Sequence, residues 1–220
     1  TKKDAEFVLT QFQNAGIESI LALRGDGKEG VEPCTDFEHA SDLIKFIKEF
    51  DSKRTDGKKF KILGACYPET HPQSKDILSD IQGLKAKVDA GAEHLLSQLF
   101  FDNERFYRFL ERTQIAGINV PIEAGIMPAT NKKSIERMVS MTNAQLPRKF
   151  IKMMERYQDS PEAIRDAGIA YAVDQIVDLV TNGVHGIHLY TMNNSYVAKK
   201  INDSVRSLFA EPPIEFTIKP

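Results

Sequence analysis

Apolar and polar positions along the 220 residues fall into one recurring phrase. A helical stripe ends in a small residue and a glycine, and a short apolar run follows. The phrase reads "FQNAGIESILALRGD", "VDAGAEHLLSQLFFD", "TQIAGINVPIEAGIMP" and "VTNGVHGIHLYTMN". Gly16, Gly91, Gly117 and Gly183 stand where a helix C-terminus needs a left-handed residue, which glycine adopts at least cost. A further run, "FKILGACY" from Phe60 to Tyr67, follows Gly57 and the helix-like "SDLIKFIKEF". The helical stripes recur at threes and fours: Ile81, Leu84 and Val88 in one segment, and Ile164, Ile169, Val173, Ile176, Val177 and Val180 in another.

The apolar runs are continuous rather than alternating, as in parallel strands covered on both faces. Strands alternating with helices through short connections predict a parallel sheet with right-handed crossovers. The interval from Asn131 to Asn182 has room for two or three helices, with breaks at Pro147 and Pro161. The paired prolines of "AEPPIEF" read as an exit segment. Two α/β architectures accommodate this order. One is an open doubly wound parallel sheet. The other is a (βα)8 TIM barrel, which typically needs ~250 residues. The opening helix has no strand in front of it, which favours the barrel. The expectation is one catalytic barrel domain over residues 1–220, truncated at its N-terminus, with about five of the eight βα units present. The first residue is Thr rather than Met.

Composition narrows the class. Hydrophobic residues make up 41% and charged residues 27%, an ordinary globular balance. A net charge of -2 with both signs mixed argues against a nucleic-acid or membrane-surface footprint. No apolar run approaches the ~20 residues a spanning helix needs, and "TKKDAEFVLTQF" has a helical rather than a signal-peptide pattern. Cys34 and Cys66 provide neither a disulfide framework nor a paired metal-ligand spacing, and a reduced, cytoplasmic setting is expected. H-E-x-x-H, G-x-S-x-G and Walker-type patterns are absent from the sequence, so zincin, serine-hydrolase and P-loop chemistries lose ground.

In both architectures functional groups gather at the carboxyl ends of the strands. The first such end is "ILALRGDGKEG", where an apolar run stops at Arg24, Gly25 and Asp26. An adhesion tripeptide would need an exposed loop tip, whereas this one continues a buried strand. Gly25 to Gly30 match G-x-G-x-x-G, but that motif requires a helix to begin inside the loop, and "VEPCTDFEHASDL" delays it. Arg24 and Asp26 alone are otherwise a surface ion pair.

Other strand ends add to them. "YPETHPQSKD" puts Tyr67 and His71 in a rigid turn. Asp80 and Lys87 on the following helix share a face, about 10 Å apart. Gln98, inside an apolar run, is either a core amide satisfied by backbone or one that reads a heterocycle. Glu123 is either an inward acid or, by slight preference, an outward-facing one.

Taken together in order, "LALRGD", "YPETHPQSKD", "LKAKVDAGAEHLLSQLFFD", "PIEAGIMPATN" and "HLYTMN" resemble the methylenetetrahydrofolate reductase family. The resemblance covers nearly the whole chain. It implies a βα barrel that holds FAD at the carboxyl ends of its strands. Such enzymes pass a hydride from NADH or NADPH to the flavin and then to 5,10-methylenetetrahydrofolate, giving 5-methyltetrahydrofolate. By motif, Leu23, Arg24, Gly25 and Asp26 would line the flavin, with Ala40, Tyr67, His71 and Ser74 continuing the cofactor wall. Asp80 would meet the ribose, Lys87 the pyrophosphate, and Gln98 the pterin. Asp26 would be the catalytic carboxylate: beside the flavin's pyrimidine edge it disfavours negative charge on the reduced ring and favours hydride donation, and it can also pair with pterin donors.

The resemblance also implies a small-molecule folate partner, with no nucleic acid and no membrane, and leaves a homo-oligomer open. The family's proton donor, a Glu on the first barrel strand, has no counterpart in this chain, so the piece alone is expected to bind FAD poorly and turn over little. Asn194 stands where several relatives have Arg, and Met138 where an aromatic can stand. The other readings are a non-catalytic barrel remnant and an open-sheet dinucleotide binder using Gly25 to Gly30.

Overall fold

The computed structural model describes residues 1–25 and 36–209. Asp26, Cys34, most of the glycine-rich stretch and the "AEPPIEF" segment lie outside the described residues. The chain opens with helix α1 (Lys2–Asn14), capped by Thr1, whose side chain accepts from the Asp4 N–H. Each recurring phrase then becomes a strand and a helix: β1 (Ser19–Ala22), α2 (Ala40–Ser52), β2 (Lys61–Cys66), α3 (Ile77–Asp89), β3 (His94–Ser97), α4 (Asn103–Ile115) and β4 (Ile122–Ile126). The long interval holds α5 (Lys132–Thr142), α6 (Arg148–Tyr157) and α7 (Pro161–Thr181), before β5 (Ile187–Leu189) and α8 (Ser195–Val205). Pro147 is the N-cap of α6 and Pro161 the first residue of α7, positions that need no backbone N–H. Gly16, Gly91, Gly117 and Gly183 all have positive φ, between 70° and 119°.

The strands pair in parallel, in the order β1-β2-β3-β4-β5. That order decides between the two architectures. A doubly wound sheet reverses direction at a switch point, and this one never does. Successive right-handed crossovers in one direction place the helices on one face, the arrangement of a βα barrel wall. The fold is therefore of the barrel type, with five of its strands among the described residues.

Register and burial separate the two faces. Ala22, Ile62, Cys66, Leu95, Ile122, Ala124 and Ile126 are buried among helix residues such as Ile44, Leu84, Phe106 and Ile176. The opposite, concave face carries Leu21, Leu63, Leu96, Glu123 and Gly125. The expectation of strands covered on both faces does not hold at β1, where Leu21 is 40% exposed and the following Leu23 is 50% exposed. A second cluster, Leu99, Phe101, Met127, Ile135, Phe150 and Ile164, fills the space under α5 and α6 beyond the strand ends.

The stripe expected for α7 holds at all but one position: Ile164 and Ile176 are buried, and Ile169, Val173 and Val180 pack against the core. Gly168, Ala172 and Leu179 are also buried, and Val177 faces out. At Gly168 a β-carbon would lie 1.8 Å from the Ala129 carbonyl oxygen, so the helix lies against the loop that follows β4. Glycine permits this approach. Gly83 in α3 has no neighbour within 4 Å of such a carbon. Gly168→Ala should therefore destabilise the fold by roughly 2 kcal/mol or more, through backbone displacement, while Gly83→Ala should be neutral or stabilise it by up to about 1 kcal/mol. Urea unfolding of both variants checks the pair; equal effects would refute the close approach as the reason for Gly168.

Candidate functional site

Three side chains tie the strand ends into one rim. Arg24, just past β1, donates from Nη2 to Gln73 Oε1 at 2.6 Å, bridging to the turn after β2. Gly25 beside it has φ +80°, a left-handed conformation that disfavours any side chain. In the turn, the rings of Tyr67 and His71 meet edge to face with centroids 4.4 Å apart. The His71 Nδ1 accepts from the Gln73 N–H at 3.0 Å, so the neutral ring carries its proton on Nε2.

Asp80, in the first turn of α3, holds this turn from below. Its carboxylate accepts from the His71 N–H and the Ser74 hydroxyl, each at 3.0 Å. Lys87, two turns along the same helix, donates to the Ala65 carbonyl at 2.9 Å. Burial holds the Lys87 ammonium below the usual lysine range; Cys66 and Asp80 oppose that shift, while the Arg24 charge adds to it. Arg24 and Lys87 are thus within electrostatic reach of each other, and Lys87 has no carboxylate in ion-pair range among the described residues. Burial also pushes the Cys66 thiol well above its usual range, which leaves it a packing residue rather than a nucleophile.

Gln98 stands just beyond β3 rather than inside it. Its N–H donates to the Cys66 carbonyl at 2.7 Å, and its Oε1 accepts from the Leu99 N–H at 2.9 Å. The amide oxygen is satisfied by backbone, and the amide NH2 has no hydrogen-bond partner among the described residues. Arg24, Tyr67, His71, Ser74, Asp80, Lys87 and Gln98 gather around the ends of the first three strands, with Leu23 at the end of β1. Ala40 is the first residue of α2.

Sequence reasoning missed the brace that holds this rim from β4 and β5. Tyr190 reaches across Gly125 to donate its hydroxyl to the Ser97 carbonyl at 3.0 Å. The Gly125 N–H donates to Ser97 Oγ at 2.8 Å, and that hydroxyl donates to the Gln98 carbonyl at 3.0 Å. A β-carbon on Gly125 would lie 2.3 Å from the Ser97 oxygen and 2.9 Å from the Tyr190 ring. Burial raises the Tyr190 hydroxyl to about 12, so it remains a donor. A glycine inside a strand pattern was the available signal.

Glu123 corrects an expectation. Pairing with Leu96 puts it on the concave face, where it meets His94 Nε2 at 2.9 Å, near the amino ends of the strands and away from the rim. It faces inward because outward positions on β4 are filled by Ile122 and Ala124 against the helices. Asn194 caps α8, accepting from the Val197 N–H at 3.1 Å, and Met138 packs with the cluster around Phe150.

Comparison with known proteins gives the family. The family model described as methylenetetrahydrofolate reductase matches residues 1–206. The chain belongs to the methylenetetrahydrofolate reductase family. A 5,10-methylenetetrahydrofolate reductase of Pectobacterium carotovorum is 35% identical over 195 residues, covering 88% of this chain and 62% of that protein. The enzyme of the same name from Escherichia coli is 35% identical over 201 residues, covering 91% of this chain and 65% of that protein. The chain thus spans a little under two thirds of the length of these relatives. Among solved structures, a Clostridium thermocellum protein said to bind two copies of 5-methyl-5,6,7,8-tetrahydrofolic acid aligns with a TM-score of 0.56 at 15% identity. It covers 78% of this chain and 59% of that one, a likeness of fold.

In this reductase-family chain Asp80 organises the turn. Asp80→Ala leaves the His71 N–H and Ser74 hydroxyl without their acceptor, and should cost about 1–3 kcal/mol. Chemical denaturation measures the loss, and faster amide exchange at His71 and Ser74 localises it. Unchanged exchange there would contradict the assignment.

Proposed function

We propose that the rim binds FAD and a reduced folate, and that the activity it serves is reduction of 5,10-methylenetetrahydrofolate to 5-methyltetrahydrofolate with NADH or NADPH as hydride source. Family membership supports the reaction class. The observation that carries the cofactor reading is Lys87: a half-buried ammonium, near a second cation and without a carboxylate partner among the described residues, is a position that a diphosphate compensates.

The residues present fit that group. Arg24 and Lys87 hold its phosphates, and the left-handed turn at Gly25 keeps the backbone beside them bare of a side chain. The Asp80 carboxylate, with two bonds already made, retains lone pairs for a ribose hydroxyl. When bound, the flavin supplies a reversible store for a hydride. Leu23, Ala40, Tyr67, His71 and Ser74 form the remaining proposed wall. The Gln98 amide NH2 donates to the pterin, held in position by the Ser97, Gly125 and Tyr190 brace. Asp26, outside the described residues, is assigned the carboxylate that disfavours negative charge on the reduced ring and accepts from pterin donors.

Titration of the purified chain with FAD, followed by quenching of flavin fluorescence, tests the reading. Lys87→Met should weaken binding by roughly tenfold or more, the worth of a charge-assisted hydrogen bond. Because burial depresses the Lys87 pKa, its charge is present below that depressed value and lost as pH rises through it. Affinity should therefore decline at a lower pH than an ordinary lysine would produce, and Lys87→Arg should remove the decline. FAD affinity indifferent to Lys87→Met would overturn the cofactor assignment. Asp26→Asn should raise the potential of bound flavin and weaken folate binding, whereas Gln98→Ala should weaken folate binding alone. Unchanged potential and folate affinity in Asp26→Asn would refute the role given to Asp26.

A further inference from the structure

A second cationic surface lies outside this rim. A cleft of about 510 Å³ opens between α4 and the turn after β2. Arg105, Arg108 and Arg112 of α4 line it together with Glu69, Asn143 and Gln145. Spacings of three and four place the arginines on one helix face, spanning about 10 Å along the axis. Arg105 is already engaged: its Nε lies 3.2 Å from Glu69 and 3.8 Å from Asp102, and it also hydrogen-bonds the Gln145 side chain. Glu69 in turn accepts from the Gln145 N–H at 3.0 and 3.1 Å. Arg108 and Arg112 are exposed and make no ion pair or hydrogen bond among the described residues.

Three guanidiniums therefore face the cleft against the one carboxylate of Glu69. Like charges one turn apart destabilise a helix unless compensated. Two guanidinium forks with their donors unspent, beside a third fixed in place, match ligands whose anionic groups are several ångströms apart.

We propose that this cleft is a site for a small polyanion, a di- or tricarboxylate or a compound with two linked phosphates, bound by Arg108 and Arg112. It is separate from the rim, since neither Arg24 nor Lys87 lines it, and it stands whether or not FAD binds there. It adjoins the rim through Glu69, which belongs to the same turn as Tyr67 and His71.

Isothermal titration of the purified chain with citrate and, separately, with pyrophosphate tests the site, with ionic strength held constant by chloride. Saturable binding of at least one of the two is expected, and which binds tighter distinguishes a carboxylate ligand from a phosphate ligand. The Arg108→Gln, Arg112→Gln double variant should bind the preferred anion at least roughly tenfold more weakly. Both side chains are exposed, so its thermal unfolding should match the parent's. Because pyrophosphate can also reach the rim, Lys87→Met serves as the second variant: it removes the rim's share of pyrophosphate binding, and saturable binding lost only with the double arginine change should remain in it. No saturable binding of either anion would overturn the proposal. So would binding that survives the double arginine change and disappears with Lys87→Met.

Discussion

The handedness of the crossover between parallel strands is the constraint on which the rest of the molecule depends. A right-twisted strand feeding a right-handed helix returns to the sheet on one side only. With the order β1 to β5 unbroken, every return is to the same face, and every strand ends at the same edge. The helices cover the convex face with Ile44, Leu84, Phe106 and Ile176, and the connections after each strand collect at one rim. The site is a consequence of that topology: Arg24, His71, Lys87 and Gln98 come from four separate stretches of chain and share an edge because the winding never reverses.

At that edge the polar groups divide into those whose demands are met and those left with capacity. Asp80, Ser74 and the His71 backbone satisfy one another, which makes the turn rigid without consuming the cations beside it. The Lys87 ammonium is desolvated by its surroundings and has only a carbonyl as partner. A desolvated charge with a neutral partner is costly, and an anion repays that cost. On α4 the division is different: Arg105 has its carboxylate, while Arg108 and Arg112 are exposed and have none among the described residues.

Much of this was legible in the sequence, for reasons that lie in local physics. The left-handed glycines at Gly16, Gly91, Gly117 and Gly183 end their helices whatever the tertiary context, so the alternation of helix and strand could be read directly. Asp80 and Lys87 share a helix face by period alone. The brace of Ser97, Gly125 and Tyr190 could not be read, because it joins residues 93 positions apart and depends on three strands lying side by side. Glu123 was misplaced for a related reason: in a strand that is apolar on both sides of it, the facing of one acid is set by the neighbouring strand's register. The close approach of α7 to the loop after β4 likewise rests on a backbone contact at Gly168 that leaves no hydrophobic signature.

The account's central claim, that separate strand ends converge on one ligand-holding rim, is tested most directly by hydrogen–deuterium exchange with and without FAD. Convergence predicts that exchange slows together in peptides containing Leu23 to Gly25, Tyr67 to Ser74 and Gln98 to Phe101. Peptides at the opposite edge, around Ile17, Lys59 and Glu93, should be unaffected. Protection at that opposite edge, or confined to a single strand end, would contradict it.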